Sequence, residues 1–151
     1  MKTTAFENLN CIIYTDGACL GNPGKGGWAA VIIEPSGERE IVGYEKFTTN
    51  NRMELMAVIR ALKEIKPNSQ ISLFSDSKYV IDVITKWIKN WKMNNWHTAS
   101  KKQIKNLDLW KDLDELTSKF EITWNWVKGH STDKYNNKVD RLARNEAERI
   151  I

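Results

Sequence analysis

The chain has 151 residues, of which 41% are hydrophobic and 28% are charged, and its formal net charge is +4. This length suits one domain that buries a core of its own, so we treat residues 1–151 as a single domain. No apolar run approaches the roughly 20 residues of a membrane-spanning helix, and no signal peptide is visible. The two cysteines lack metal-site spacing and fit a reducing compartment. We therefore expect a cytoplasmic protein without a membrane partner.

The first third of the sequence predicts three strands joined by turns. Residues 10–15, 28–33 and 39–47 are rich in β-branched, aliphatic and aromatic side chains. Asp16-Gly17 is a turn signal after the first of them, and residues 35–37, Pro-Ser-Gly, separate the second from the third. This order predicts an antiparallel meander.

Helices then alternate with strands. Residues 51–66 place apolar side chains on one helical face, 71–74 form a short apolar strand, and 77–89 predict a second helix. A helix over 107–120, a strand over 122–127 and a C-terminal helix follow. Because strands joined through helices become parallel neighbours, we predict an α/β fold with a five-stranded mixed sheet flanked by helices.

Four acidic residues are candidates for chemistry. Asp16 and Asp76 follow strands, whereas Glu54 and Asp140 lie early in helices. Taken singly, Asp16 and Asp76 fit a turn or helix-cap role equally well. For Glu54 or Asp140 alone, interaction with the helix dipole is the favoured interpretation. In one pocket, each pair at about 4 Å would repel by roughly 4 kcal/mol at an effective dielectric near 20. Two Mg²⁺ or Mn²⁺ ions would relieve that repulsion and would clamp the attacking water and leaving oxygen of a phosphodiester. The spacing of the four acids in the sequence does not by itself show that they lie close together in space.

A basic segment follows the second predicted helix. Residues 83–107 contain six lysines and no acid, interleaved with Trp87, Trp91 and Trp96. Lysines alternating with aromatic rings are typical of surfaces that bind phosphate backbones. The tryptophans of regular elements are instead expected to pack in the core, namely Trp28, Trp110, Trp124 and Trp126.

Four collinear segments resemble the signatures of the type 1 ribonuclease H family. They are TDGACLGNPG over residues 15–24, TTNNRMEL over 48–55, Ser75-Asp76-Ser77 with Tyr79-Val80, and WVKGH over 126–130, ten residues before Asp140. The resemblance implies a ribonuclease H-like fold and a monomeric endonuclease that cuts the RNA strand of RNA–DNA hybrids. Two Mg²⁺ ions per site, for which Mn²⁺ can substitute, and products with 5′-phosphate and 3′-hydroxyl ends are also implied.

The same resemblance assigns roles to individual residues. Asp16, Glu54, Asp76 and Asp140 would be the metal ligands, and His130 would assist catalysis or product release. Lys78 stands where bacterial relatives often have Gln, which adds a candidate phosphate contact. The residues expected to contact the hybrid are Cys19, Asn22, Thr49, Asn50, Asn51, Lys78, Trp87, Lys89, Trp91, Lys92, Lys101, Lys102 and Asn106.

Two other functions remain open from the sequence. A DNA-processing nuclease of the same fold would share the carboxylates but not TTNNRMEL or the tryptophan-rich basic segment. A non-catalytic hybrid-binding protein would lack at least one of the four acids, and all four are present.

Overall fold

A computed structural model describes residues 10–129 and 132–149 of the chain. In chain order the elements are β1 (Asn10–Leu20), β2 (Gly24–Glu34), β3 (Gly37–Thr48), α1 (Asn50–Lys63), β4 (Gln70–Ser75), α2 (Lys78–Asp82), a π-helical turn (Val83–Trp87), α3 (Ile88–Met93), α4 (Leu107–Thr117), β5 (Glu121–Trp126) and α5 (Lys134–Ala147). Within this described part, no helix is both long and apolar enough to span a membrane.

The predicted fold class is confirmed. The five strands form one sheet in the order β3-β2-β1-β4-β5. The pairs β1–β2 and β2–β3 are antiparallel, whereas β1–β4 and β4–β5 are parallel. The sheet is therefore mixed, with its hairpin side and its parallel side meeting at β1.

The first strand does not end where the sequence predicts. Its parallel ladder with β4 stops at the pair Thr15–Ser75, but its antiparallel ladder with β2 continues through Asp16–Ala29 to Leu20. The predicted turn at residues 16–17 is therefore wrong, because β2 still pairs with the chain there. Asp16 consequently lies on a strand that has a neighbour on one side only.

Helices cover both faces of the sheet. On one face, α1 packs against β1 and β2, and α4 packs against α1, around a core that includes the fully buried Leu55, Leu73 and Trp110. On the other face, α5 packs against β1 and β2 through Val139. The backbone of α5 comes so close that a Cβ added at Gly27 would lie 2.3 Å from the Ala143 carbonyl oxygen. The fold therefore has three layers, with α1 and α4 on one face of the sheet and α5 on the other.

The helix predicted over 77–89 begins at Lys78 and continues, with a π-helical turn over 83–87, as far as Met93. Ser77 caps it, since its hydroxyl accepts a hydrogen bond from the Val80 N–H at 3.2 Å. Apolar periodicity at one uniform helical period does not reveal a π turn, because the turn is a single local insertion in an otherwise α-helical run.

Candidate active site

Strand register places two of the candidate carboxylates side by side. Thr15 of β1 pairs in parallel with Ser75 of β4, so Asp16 and Asp76 follow at the same end of neighbouring strands. The main chain of Asp16 stays fixed by its pairing with Ala29, and its carboxylate accepts a hydrogen bond from the Gly17 N–H at 2.9 Å. The sheet thus holds both acids at the edge where the parallel ladder ends.

Helix α1 supplies the third carboxylate through close contact with β1. A Cβ added at Gly17 would lie 2.4 Å from the Glu54 nitrogen and 2.5 Å from the Met53 carbonyl carbon. Only glycine permits this approach of helix and strand backbones. The helix begins after Thr49, whose hydroxyl accepts from the Arg52 N–H at 3.3 Å, so Glu54 lies near its start and beside Asp16.

The three carboxylates form one cluster. Asp16, Glu54 and Asp76 each offer an oxygen within 4.8 Å of the others, and Asp16 and Glu54 are only 3% and 6% exposed. Burial, followed by repulsion from Asp76, raises the pKa of Asp16 to about 8. Burial and the charge of Asp16 raise the pKa of Glu54 well above its ordinary value. Because metal ligands must be deprotonated, a bound cation would compete with protons for these carboxylates.

The fourth acid lies nearby with a counterion. Asp140 is on α5, and its charge contributes to the raised pKa of Asp16. Its Oδ2 accepts a hydrogen bond from Arg144 Nη2, one helical turn later, at 2.6 Å. Among the described residues, the group within 4.8 Å contains Asp16, Glu54 and Asp76 but not Asp140. The structure therefore brings three of the predicted ligands together and places the fourth close by, paired with an arginine.

The donor set suits a hard divalent cation. Glu54 Oε1 is buried and has no hydrogen-bond partner within the described part of the chain. A buried polar atom without a partner is costly, and a cation would satisfy it. The clustered donors are carboxylate oxygens, which favour the cations that prefer oxygen ligands.

A second group of predicted residues lines an open cavity of about 400 Å³. The side chain of Asn22 is fixed there, because its Oδ1 accepts from the Asn50 N–H at 2.9 Å and so ties the β1–β2 turn to the start of α1. Lys105 is a cavity residue that we did not single out from the sequence, although it belongs to the basic segment. The lining residues are Asn22, Thr49, Asn51, Lys105 and Asn106.

Asn106 is held in the cavity wall from two sides. Its backbone is left-handed, with φ of 60°, a conformation that Asn tolerates. Its Nδ2 donates to the Tyr79 hydroxyl at 3.1 Å, while its Oδ1 accepts from Arg52 at 3.4 Å. Arg52 is itself fixed by two hydrogen bonds to Asp108 of 3.0 and 2.9 Å.

The basic segment combines exposed and packed residues. Trp87 is 51% exposed, whereas Trp91 packs edge-on against the buried Trp110 with ring centroids 6.1 Å apart. Lys92 pairs with Asp114 at 3.2 Å. The four lysines of this segment that are predicted to contact substrate are all exposed, namely Lys89, Lys92, Lys101 and Lys102.

The core position predicted for Trp126 is wrong. Trp126 is 45% exposed, not buried in the core. It is the last residue of β5, an edge strand of the sheet, and its indole N–H donates to the Asp76 carbonyl at 3.1 Å. The Lys78 ammonium lies 4.8 Å from the centroid of its ring. Trp124, two residues earlier on the same strand, packs partly against the core as expected.

Cys19 and His130 are the two remaining residues that we predicted to act in substrate binding or catalysis. The Cys19 thiol, near the end of β1, donates to the Thr48 carbonyl at 3.4 Å. His130 lies outside the described residues. The chain does pass the site just before it, since a Cβ added at Gly129 would lie 3.1 Å from Asp76 Oδ2.

A family model, curated relatives and a solved structure that resemble this chain all carry the name RNase H or Ribonuclease H. The family model described as RNase H matches residues 8–148. A Wolbachia pipientis wMel protein named Ribonuclease H is 57% identical over 133 residues, covering 88% of this chain and 92% of its own. One of the same name from Francisella tularensis subsp. novicida is 51% identical over 147 residues, 97% of each chain. LC9-RNase H1, a type 1 RNase H with the type 2 active-site motif, superposes with a TM-score of 0.83 at 29% identity, covering 93% of this chain and 73% of its own.

Proposed function

The chain belongs to the ribonuclease H family of enzymes, and from this premise we propose that it is an endonuclease that hydrolyses the RNA strand of RNA–DNA hybrids. The observation that carries the proposal is the buried cluster of Asp16, Glu54 and Asp76 at the end of the parallel ladder, with one Glu54 oxygen left without a partner among the described residues.

In this proposal the four acids hold two divalent cations, of which Mg²⁺ is the natural choice for oxygen ligands and Mn²⁺ a substitute. When bound, such ions activate the attacking water and compensate charge on the leaving oxygen of a phosphodiester. The protein fixes Asp16 and Asp76 through the sheet and Glu54 through α1. Asp140 joins them after release from Arg144. Cleavage leaves 5′-phosphate and 3′-hydroxyl ends.

In this proposal the substrate binds to two surfaces. The cavity beside Thr49 and Asn106 takes a phosphate of the DNA strand, with Lys105 supplying positive charge. The basic segment extends the contact along the backbone through Lys89 and Lys102. Recognition relies on groove shape and 2′-hydroxyls, so we expect little base preference from a monomeric enzyme.

A gel assay tests the proposal. End-labelled RNA–DNA hybrid, RNA duplex and DNA duplex are incubated with the protein and Mg²⁺, and we expect cleavage of RNA in the hybrid only. Extension of the products by a polymerase checks for 3′-hydroxyl ends. Asp76→Asn should abolish cleavage while circular dichroism stays unchanged, because the substitution keeps shape and removes one charge. Asp112→Asn, on α4 and paired with Lys63 at 3.6 Å, is the matched control and should cleave normally.

The other outcomes decide between the alternatives. Cleavage of DNA duplex would favour a DNA-processing nuclease of the same fold. Tight binding of the hybrid without cleavage would favour a non-catalytic binding protein. Turnover by Asp76→Asn at the wild-type rate would contradict the assignment of the carboxylate site.

A further inference from the structure

Trp126 contacts two residues to which the sequence assigns separate roles, the candidate metal ligand Asp76 and the candidate phosphate contact Lys78. In the parallel pairing of β4 and β5 it lies opposite Ser75, one residue before Asp76. The ladder continues one step further, since the Val127 N–H donates to the Ser75 carbonyl at 2.9 Å. The Trp126 main chain is therefore fixed directly beside the carboxylate cluster, although almost half of its side chain is exposed.

The two parts of the indole make different contacts. The N–H donates to the Asp76 carbonyl at 3.1 Å, which restrains the main chain where it leaves β4. The ring lies beneath the Lys78 ammonium at 4.8 Å. Lys78 is the first residue of α2, so the same ring touches the residue two positions after Asp76 as well as Asp76 itself.

This arrangement leaves Lys78 available to a ligand. A cation over an aromatic face keeps its three N–H donors, and the exposed side chain presents them to solvent. Ile122 and Trp124, on the same face of β5, pack partly against the core, whereas Trp126 is 45% exposed. We propose that Trp126 is a positioning residue with two actions: its indole N–H holds the main chain of Asp76, and its ring aims Lys78 at a phosphate of the RNA strand.

The assignment of this phosphate to the RNA strand follows from the position of Lys78 in the chain, and it rests on the proposed function. The strand that is cut must pass the carboxylates, and Lys78 is two residues from Asp76. The cavity lined by Thr49 and Asn106 does not include Lys78, and it is the surface proposed to take the DNA strand. The phosphate that Lys78 reaches is therefore on the strand being cut.

Three variants separate the ring from the N–H. Trp126→Phe keeps an aromatic ring and removes the donor, Trp126→Leu removes both, and Lys78→Gln removes the cation. Hybrid binding is measured by fluorescence anisotropy in EDTA over a range of salt concentrations. Lys78→Gln should lower the slope of log K against log salt by roughly 0.7–0.9. Trp126→Leu should lower it nearly as much, Trp126→Phe should keep the wild-type slope, and Trp126→Leu should add nothing to Lys78→Gln.

Metal binding reports on the N–H separately. Calorimetry with Mg²⁺ alone should show affinity reduced by about 10-fold in both Trp126 variants, because loss of a residue that orients a metal ligand typically costs roughly 10- to 100-fold. Lys78→Gln should not weaken it. Lys63→Gln, an exposed lysine of α1 far from the cluster, is the control and should match wild type in both assays.

Either result can overturn the inference. A wild-type salt slope in Trp126→Leu would show that the ring does not orient Lys78, and unchanged Mg²⁺ affinity in Trp126→Phe would show that the N–H does not position Asp76. If Trp126→Leu does not fold, Trp126→Phe and Lys78→Gln still test the proposal. A lowered salt slope in Trp126→Phe would refute it, and so would an unchanged salt slope in Lys78→Gln. Because binding is measured without cleavage, a wild-type protein that fails to cut hybrid would refute the proposed function alone.

Discussion

Replacing Asp16 by Asn should stabilise the metal-free protein at neutral and alkaline pH, and the gain should disappear in acid. Burial and the neighbouring carboxylates raise the pKa of Asp16 from its ordinary 3.8 to about 8. A carboxyl with a raised folded-state pKa favours folding fully below the unfolded pKa, and this contribution is lost as pH rises through the folded pKa. Wild-type stability should therefore fall between about pH 4 and pH 8.

The structure sets the size of the effect. The interval from 3.8 to about 8, at 1.36 kcal/mol per pH unit, gives a ceiling of about 6 kcal/mol for Asp16 alone. Asp16 and Glu54 interact directly and therefore titrate as a pair, so we expect Asp16→Asn to gain only part of this ceiling, about 1–3 kcal/mol near pH 8. The amide keeps the shape and still accepts the Gly17 N–H, so the hydrogen bond of 2.9 Å is retained.

Urea unfolding in EDTA, followed by circular dichroism at about pH 5 and about pH 8, measures the free energy of unfolding of wild type and of Asp16→Asn. Glu115→Gln, an exposed carboxyl on α4, is the control and should follow wild type. Adding Mg²⁺ at a hundredfold excess over its Kd should stabilise wild type by about 2.7 kcal/mol and Asp16→Asn by less. Equal wild-type stability at the two pH values, together with no gain in Asp16→Asn, would refute the account of a self-repelling cluster.

Other substitutions test the surrounding features. Changing Lys89 and Lys102 to Ala should raise KM more than it lowers kcat and reduce the salt slope of hybrid binding by roughly 0.7–0.9 per lost phosphate contact; an unchanged slope would make them ordinary solvated lysines. His130→Ala should lower kcat about 100-fold with KM and Mg²⁺ affinity little changed, and lost Mg²⁺ binding in calorimetry would make His130 a ligand instead. Arg144→Gln should tighten Mg²⁺ binding about two- to fivefold, because the exposed ion pair with Asp140 competes with the metal; equal affinity would show that it does not compete.

The sequence predicted elements better than their ends. The order of strands and helices and the mixed sheet follow from apolar periodicity and are confirmed. The turn at Asp16-Gly17 was wrong because a local turn signal does not show that β2 still pairs with those residues. The core position of Trp126 was wrong for a related reason, since periodicity gives the face of a strand but not where its covering layer stops.

The sequence by itself determined which elements and candidate residues are present. These are the helices and strands of an α/β fold, four acidic residues, a basic segment and the family signatures that contain or precede the acids. Only the tertiary structure decided proximity. The Thr15–Ser75 register puts Asp16 beside Asp76, and the absent side chain of Gly17 lets α1 bring in Glu54. Burial raises the pKa values of these acids, and contacts between elements pair Lys78 with Trp126. These are interactions between residues far apart in the chain, and their energies depend on distance and burial, which no local pattern of residue types contains.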